Sequence, residues 1–97
     1  MKNKFDISMF VDVLTPQQAL CNLVNRFVKR RKELKMTQKK LADKTGVSYA
    51  SIRRFETCGE IALTSLIRLA DALGYLEDFE RLFEDEVMLK LGDLRYE

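Results

Sequence analysis

The side chains with the clearest chemical potential are basic, and they are concentrated in the middle of the sequence. Residues 26–54 contain eleven Lys and Arg against two Asp and Glu, whereas residues 55–97 contain four against eleven. The formal net charge of +2 for the whole chain therefore conceals two segments of opposite sign. This segregation predicts one surface for a polyanion and a second for a cationic partner, with ordinary solvated helix faces as the alternative.

Side chains that support catalysis or metal binding are scarce. The chain has no His, and its two cysteines, Cys21 and Cys58, match no zinc or redox spacing. The sequence contains no Gly-rich loop of the kind that cradles phosphates and no nucleophile with a neighbouring base. We therefore predict no enzyme activity, no metal and no cofactor. We expect Cys58 to be a packed or solvent-facing thiol rather than a redox switch.

The length and hydropathy of the chain indicate one small domain. Its 97 residues bury a limited core, which an oligomer interface would supplement. There is no secretion signal and no apolar run near the roughly 18 residues that a membrane span requires. These features predict a cytoplasmic protein with reduced thiols and no membrane partner.

Apolar residues recur every three or four positions through most of the chain, which predicts five helices and an all-α fold. The first helix runs from residue 16 to about Lys35, and the fifth runs from Leu76 to about Phe83. Hydroxyl residues suited to capping precede the first four helices: Thr15, Thr37, Ser48 and Thr64. Glycines suited to helix ends follow the second, third and fourth: Gly46, Gly59 and Gly74.

The apolar stripes of these helices predict the core. The stripe of the first helix consists of Leu20, Leu23, Val24, Phe27, Val28 and Leu34. The second and third helices and their connection contribute Leu41, Ala42, Val47, Ile52 and Phe55. The last two helices contribute Leu66, Leu69, Ala70, Leu73, Leu76, Phe79, Leu82 and Phe83.

Both ends of the chain have a different period. Apolar and polar residues alternate from Phe5 to Val13 and, more weakly, from Val87 to Leu91, as in half-buried strands. Terminal strands would pair with each other or across a dimer interface. For the C-terminal piece, a frayed tail is the alternative.

The segment from Met36 to Phe55 combines two short helices with a tight turn at Gly46. Helices joined in this way cross at about 90–120°, so that the second can enter a DNA major groove. Arg binds guanine, Ala contacts the thymine methyl group, and Tyr reaches base edges or phosphates. The outward-facing residues of the second helix of this pair therefore suit base recognition: Tyr49, Ala50, Arg53 and Arg54.

The spacing of a longer set of residues resembles the phage repressor/Cro (XRE-type) helix-turn-helix family over about residues 23–74. The matching positions are Thr37-Gln38, Leu41-Ala42, Gly46-Val47-Ser48, Ile52, Phe55-Glu56, Gly59, Leu66, Leu69-Ala70 and Ala72-Leu73-Gly74. The resemblance implies a five-helix repressor-like domain that regulates transcription. It would bind double-stranded DNA as a homodimer, reading an inverted repeat through a recognition helix at residues 48–57. We accordingly divide the chain into an N-terminal strand-like arm (1–14), a helix-turn-helix domain (15–83) and an acidic tail or short strand (84–97).

The resemblance also implies roles for individual residues. Gln38 would contact DNA from the start of the second helix, and the N-terminus of the fourth helix would bind a phosphate at Thr64. With the basic and hydroxyl side chains nearby, the predicted contacts to the DNA backbone are Arg31, Lys35, Gln38, Lys39, Lys40, Ser48, Ser51, Thr57 and Thr64.

Two features of the resemblance concern the fold as much as DNA. Family members often pair an Arg of the first helix with a Glu that ends the third, and the matching residues are Arg31 and Glu56. We favour Glu56 as an internal partner of Arg31 over a direct contact to DNA. Lys35 stands where the family commonly has Gly, which leaves the end of the first helix in question.

A second, narrower resemblance concerns the C-terminal half. Residues 59–63 and 76–80 are similar to antitoxins of the HipB-like subgroup, which occur beside HipA-type kinase toxins. This resemblance implies an alternative function, an antitoxin that binds its toxin through the acidic end and autoregulates its operon. The candidate partner-binding residues are Asp78, Glu80, Glu84, Asp85 and Glu86, with a merely solvated acidic surface as the other interpretation.

Overall fold

The computed structural model describes residues 13–85, and every regular element in that range is a helix. The all-α prediction and the number of helices are confirmed. In chain order the helices are α1 (Pro16–Glu33), α2 (Gln38–Thr45), α3 (Tyr49–Cys58), α4 (Leu63–Leu73) and α5 (Leu76–Arg81). The predicted strand from Val87 to Leu91 lies outside the described residues, as does Glu86. The predicted strand from Phe5 to Val13 also lies outside them, except for Val13.

Three of the four predicted N-caps form. The hydroxyl oxygens of Thr15, Thr37 and Ser48 each accept a hydrogen bond from the backbone N–H three residues on, at 3.1, 3.0 and 3.0 Å. Each cap satisfies one of the backbone donors that a helix start leaves without a partner. The starts of α1, α2 and α3 are therefore set by local sequence.

The predicted cap at Thr64 is wrong. The helix begins at Leu63, with Ala62 at the N-cap position and no side-chain cap. The N–H of Leu66 already bonds to the carbonyl oxygen of Ala62 at 3.0 Å. Thr64 consequently lies inside the first turn of α4, where its side chain is exposed.

Helix α1 ends earlier than predicted, at Glu33, in a turn with a left-handed residue. Lys35 has a φ of 59°, and its N–H donates to the carbonyl of Lys32 at 2.9 Å. The N–H of Met36 donates to the carbonyl of Arg31 at 3.1 Å, which completes a Schellman turn. Glycine is the usual residue at this position because it has no side chain to clash. Lys35 therefore occupies a strained conformation. Although Lys stands at this position instead of Gly, α1 still ends in the turn that usually contains glycine.

The core lies between α1, α2, α3 and α4. Its buried residues are Val24, Phe27, Leu41, Val47, Ile52, Phe55, Leu69 and Leu73. The rings of Phe27 and Phe55 pack edge to face, with centroids 5.1 Å apart. Helix α2 packs on α3 and α4, α1 packs on α3, and α4 packs on α5. Each fully buried Leu, Ile or Phe contributes about 1.5–3 kcal/mol to folding.

Several residues of the predicted stripes are exposed instead, because their helices end before them or turn away. Leu34 lies in the turn after α1, and Leu82 and Phe83 follow the last residue of α5. Phe83 has a φ of 69° and is 92% exposed, so its assignment to the core is wrong. On the helices themselves, Leu23 and Leu76 also belong to the exposed apolar residues. None of the described helices is both long and apolar enough to cross a membrane.

Candidate nucleic-acid interface

The connection between α2 and α3 is three residues long and is held by packing and hydrogen bonds. Gly46 ends α2 with a φ of 81°, and its N–H donates to the carbonyl of Ala42 at 2.9 Å. The hydroxyl of Thr45 donates to the carbonyl of Leu41 and accepts from the N–H of Val47, at 2.7 and 3.1 Å. The Val47 side chain is buried in the core. The direction in which α3 leaves α2 is therefore determined by the interior.

Helix α3 has one buried face and one exposed face. Ile52 and Phe55 are buried, which turns the opposite face toward solvent. All four residues predicted to read bases lie on that exposed face together with one predicted backbone contact: Tyr49, Ala50, Arg53, Arg54 and Thr57. Their spacing of one, three and four positions makes them one stripe along the helix.

Tyr49 joins this stripe to the start of α2. The Nζ atom of Lys39 lies 5.5 Å from the centroid of the Tyr49 ring, and Cζ of Arg53 lies 5.6 Å from it. Cations at this distance from an aromatic ring are attracted to its face. The Tyr49 ring therefore contacts a cation of α2 and a cation of α3, so Lys39, Tyr49 and Arg53 form a continuous surface.

Arg54 has a different partner, the carboxylate of Glu60 in the loop before α4. Nε and Nη2 of Arg54 lie 3.0 and 2.5 Å from the same oxygen of Glu60. Both side chains are largely exposed, at 66% and 63%. The hydrogen bond to Glu60 and the negative charge of Glu60 both raise the pKa of Arg54 above its ordinary value. The sequence pattern did not predict a role for Glu60. A carboxylate directly after the glycine that ends a basic helix could have indicated an ion pair with that helix.

Arg31 and Glu56 form a second pair, and this one is buried. Nε and Nη2 of Arg31 donate to the two oxygens of Glu56 at 2.7 and 3.0 Å, and Nη1 donates to the carbonyl of Met36 at 2.9 Å. Each of the two side chains is only 9% exposed. The predicted pairing of Glu56 with Arg31 is confirmed. Because all three guanidinium nitrogens of Arg31 bond internally, we leave Arg31 out of the proposed contact surface.

Gln38 belongs to the same network. Its Nε2 donates to Oε1 of Glu56 at 2.7 Å, so Glu56 links α1, α2 and α3. An amide nitrogen carries two N–H groups, and the second remains for an acceptor outside the protein. The network thus orients Gln38 while leaving it able to contact a phosphate.

The remaining predicted backbone contacts are at or near the surface. Ser48 and Ser51 are engaged locally, since their hydroxyl oxygens lie 2.8 Å apart, and the hydroxyl of Thr57 donates to the carbonyl of Arg53 at 2.9 Å. The exposed members of the predicted set that make no side-chain hydrogen bond within residues 13–85 are Lys35, Lys39, Lys40 and Thr64. These are the groups with the most freedom to meet phosphates.

The acidic side chains lie elsewhere. Asp78 and Glu80 on α5, and Glu84 and Asp85 after it, are exposed and form no salt bridge within the described chain.

A further exposed pair joins Arg30 to Glu33 on α1 at 2.6 Å, and its hydrogen bond raises the pKa of Arg30. Between residues 13 and 85 no group of three or more Cys, Asp or Glu is arranged to hold a metal ion, and both cysteines are free and exposed.

Comparison with known proteins identifies the family. A family model described as Helix-turn-helix (HTH_3) matches residues 28–79, which is more than half of the chain and includes α2, α3 and α4. No curated protein and no solved structure matches the sequence. The matched segment contains both the buried network and the exposed stripe of α3. The chain therefore belongs to the HTH_3 helix-turn-helix family of Cro/C1 (XRE) type, whose members bind double-stranded DNA and regulate transcription.

Proposed function

We propose that this protein is a sequence-specific transcriptional regulator that binds an inverted-repeat operator as a homodimer through α3. The observation that carries the proposal is the exposed stripe of α3, where two Arg, a Tyr and an Ala lie on one face. The turn that precedes α3 is held by buried Val47, so the helix is presented rigidly. A rigid, basic helix face is what major-groove recognition requires. Such a regulator would act in the cytoplasm.

The four base-reading residues of the stripe have three kinds of role in this proposal. Arg53 and Arg54 donate to O6 and N7 of guanine, and Ala50 contacts a thymine methyl group. Tyr49 reaches a base edge or stabilises the cations beside it, since Lys39 and Arg53 lie over its ring. Specificity therefore comes from α3, and the first turn of α2 contributes charge.

Contacts to the DNA backbone supply affinity that does not depend on sequence. Lys35, Lys39 and Lys40 attract phosphates, and each neutralised phosphate releases counterions. Gln38 and the N-terminus of α4 at Thr64 add hydrogen bonds that set the register on the duplex.

Selection from a random double-stranded DNA library, repeated over a salt series, tests the proposal. We expect a preferred site made of two inverted half-sites about one helical turn apart. The Arg54→Ala variant should lose roughly tenfold to a hundredfold in discrimination at one guanine position. Arg68→Ala, which removes an exposed Arg on α4 outside the stripe, is the matched control. An unchanged preferred site in Arg54→Ala would refute the assignment.

An open groove between α1, α4 and α5 supports a surface for the second copy of the chain. Its volume is about 520 Å³, and its lining is mostly apolar, with Leu23, Phe27, Leu73, Phe79 and Leu82 among the lining residues. Arg26 of α1 and Asp78 of α5 also line it. In a two-fold interface every contact is made twice, and with the axis between these two residues Arg26 of one copy would face Asp78 of the other. The groove is therefore complementary in charge to a second copy.

Charge exchange at the groove tests this homodimer. Arg26→Asp and Asp78→Arg should each weaken self-association, because a two-fold interface then brings like charges together. The variant with both changes should regain it. Sedimentation equilibrium measures the association, with Asp71→Arg on the exposed side of α4 as control. If the double variant remains as weakly associated as either single one, the second copy does not occupy the groove.

A second candidate function is that of an antitoxin, and the end of α5 favours it. Exposed apolar Leu82 and Phe83 lie beside the exposed carboxylates of Glu80, Glu84 and Asp85. An apolar pair rimmed by acidic groups suits a basic protein partner. Co-expression with the product of the neighbouring gene tests this function. We expect a complex that Glu80→Lys/Glu84→Lys abolishes while DNA binding persists; a complex unaffected by that variant would exclude the surface.

A further inference from the structure

Glu60 occupies one edge of the Arg54 guanidinium and leaves the other available. Both hydrogen bonds of the pair go to Oε1 of Glu60, from Nε at 3.0 Å and from Nη2 at 2.5 Å. The side edge of the guanidinium is therefore engaged. Its end edge, made of Nη1 and the second N–H of Nη2, forms no hydrogen bond to residues 13–85 and lies on a side chain that is 66% exposed.

The end edge has the geometry that guanine recognition needs. Two parallel N–H groups match O6 and N7 of guanine in the major groove. A free Arg side chain samples many rotamers, and ordering them opposes binding. A carboxylate that already holds the side edge removes part of that cost, and the end edge belongs to a side chain that is largely exposed.

The backbone that leads into Glu60 is held by packing. Gly59 ends α3 with a φ of 77°, which reverses the chain direction directly before Glu60. A Cβ atom at Gly59 would lie 2.9 Å from Cδ2 of Leu20, so this turn sits tightly on α1. The backbone of Glu60 therefore follows a tightly packed turn, six residues beyond Arg54. The neighbouring Arg53 has a softer support, the ring of Tyr49.

We propose that Glu60 is a positioning residue that holds Arg54 for guanine recognition and weakens its attraction to DNA of any other sequence. The negative charge of Glu60 partly cancels the attraction between Arg54 and DNA phosphates, because that attraction depends on net charge. The two hydrogen-bond donors of the end edge are untouched by it, so guanine recognition survives. Glu60 thus increases the ratio of specific to non-specific binding. This inference rests on the proposed DNA-binding function.

A double-mutant cycle on the full-length protein tests the role of Glu60. The probes are the duplex selected by the wild-type protein, the same duplex with its Arg54-dependent guanine replaced, and an unrelated duplex of equal length. For Glu60→Ala we expect severalfold tighter binding to the unrelated duplex and about a tenfold loss of discrimination at the guanine. In the Arg54→Ala background, Glu60→Ala should cause no further loss of discrimination. Glu60→Gln keeps an acceptor oxygen and should retain part of the discrimination.

Glu33→Ala is the matched control, because it also breaks an exposed Arg–Glu pair and changes the net charge equally. It should leave discrimination unchanged. The inference is overturned if Glu60→Ala keeps full discrimination, if the loss recurs in the Arg54→Ala background, or if Glu33→Ala produces the same loss. If the wild-type protein selects no site at all, the proposed function fails rather than the role of Glu60.

Discussion

Between residues 13 and 85, two Arg–Glu pairs include a residue of α3, and they differ mainly in their surroundings. The Arg31–Glu56 pair joins α1 to α3 and has both side chains 9% exposed, whereas the Arg54–Glu60 pair has them 66% and 63% exposed. Their shortest distances, 2.7 and 2.5 Å, are nearly equal. Both contacts join a guanidinium to a carboxylate through short hydrogen bonds, but only the second is largely exposed to water.

This difference separates a contact that maintains the fold from one that can act on a ligand. When a buried ion loses its partner, it remains without water, and the folded state pays for its desolvation. When an exposed ion loses its partner, water replaces the partner at little cost. The buried pair should therefore govern stability, and the exposed pair should govern binding.

The largest expected effect is the loss of the buried carboxylate. Glu56→Ala leaves the Arg31 guanidinium buried without its counterion and leaves Gln38 without its acceptor. We expect a loss of about 3–5 kcal/mol in the free energy of unfolding, measured by urea denaturation. Glu60→Ala is the comparison variant and should unfold at nearly the wild-type urea concentration. Equal losses in the two variants would remove the distinction drawn between the pairs.

Replacement of the whole buried pair sharpens the same comparison. In Arg31→Met/Glu56→Leu neither charge is left without a partner, so most of the stability lost in Glu56→Ala should return. The measurement is again urea denaturation. A double variant as unstable as the single one would mean that the hydrogen bonds to Gln38 and Met36 matter more than the uncompensated charge.

A smaller effect is expected at Lys35, where the turn after α1 positions the Met36 carbonyl that Arg31 also contacts. Lys35→Gly relieves the positive φ of 59° and should stabilise the fold by about 1 kcal/mol. It also removes a cation that we propose lies near phosphates, so DNA affinity should fall. Thermal unfolding and a binding titration, performed on the same samples, measure the two changes. A destabilised Lys35→Gly variant would show that the lysine side chain supports the turn.

The smallest effect on the fold is expected for Lys40. Lys40→Ala removes an exposed charge from α2, outside both Arg–Glu pairs, and should leave the free energy of unfolding nearly unchanged. It should weaken binding to all duplexes alike and reduce the slope of log affinity against log salt by about 0.9 for each protomer, or about 1.8 for the bound dimer. A change in the selected site would instead assign Lys40 to base recognition.

Much of the fold could be predicted because its signals are local. The hydroxyls of Thr15, Thr37 and Ser48 need only a backbone N–H three residues away, so their caps could be read from the chain. The same reasoning failed at Thr64, since α4 starts two residues earlier than a cap at Thr64 implies, with Ala62 at the N-cap position and no side-chain cap. It failed at Phe83 because a periodic pattern does not reveal where a six-residue helix stops.

The candidate site divides in the same way. The exposed face of α3 follows from the burial of Ile52 and Phe55, which helical periodicity predicts. The partners of its arginines do not follow from periodicity. Arg53 and Arg54 are adjacent in the chain, yet one lies over a tyrosine ring and the other on a carboxylate.

The sequence by itself determined the five-helix order, the basic surface of α2 and α3 and the family to which the chain belongs. These features depend on residue spacing and on local hydrogen bonds, both of which involve residues that are close together in the sequence. Only the tertiary structure decided that all three guanidinium nitrogens of Arg31 bond internally and that Glu60 meets Arg54. Those outcomes depend on which residues the packed helices and the Gly59 turn bring together, and on how much water each pair retains.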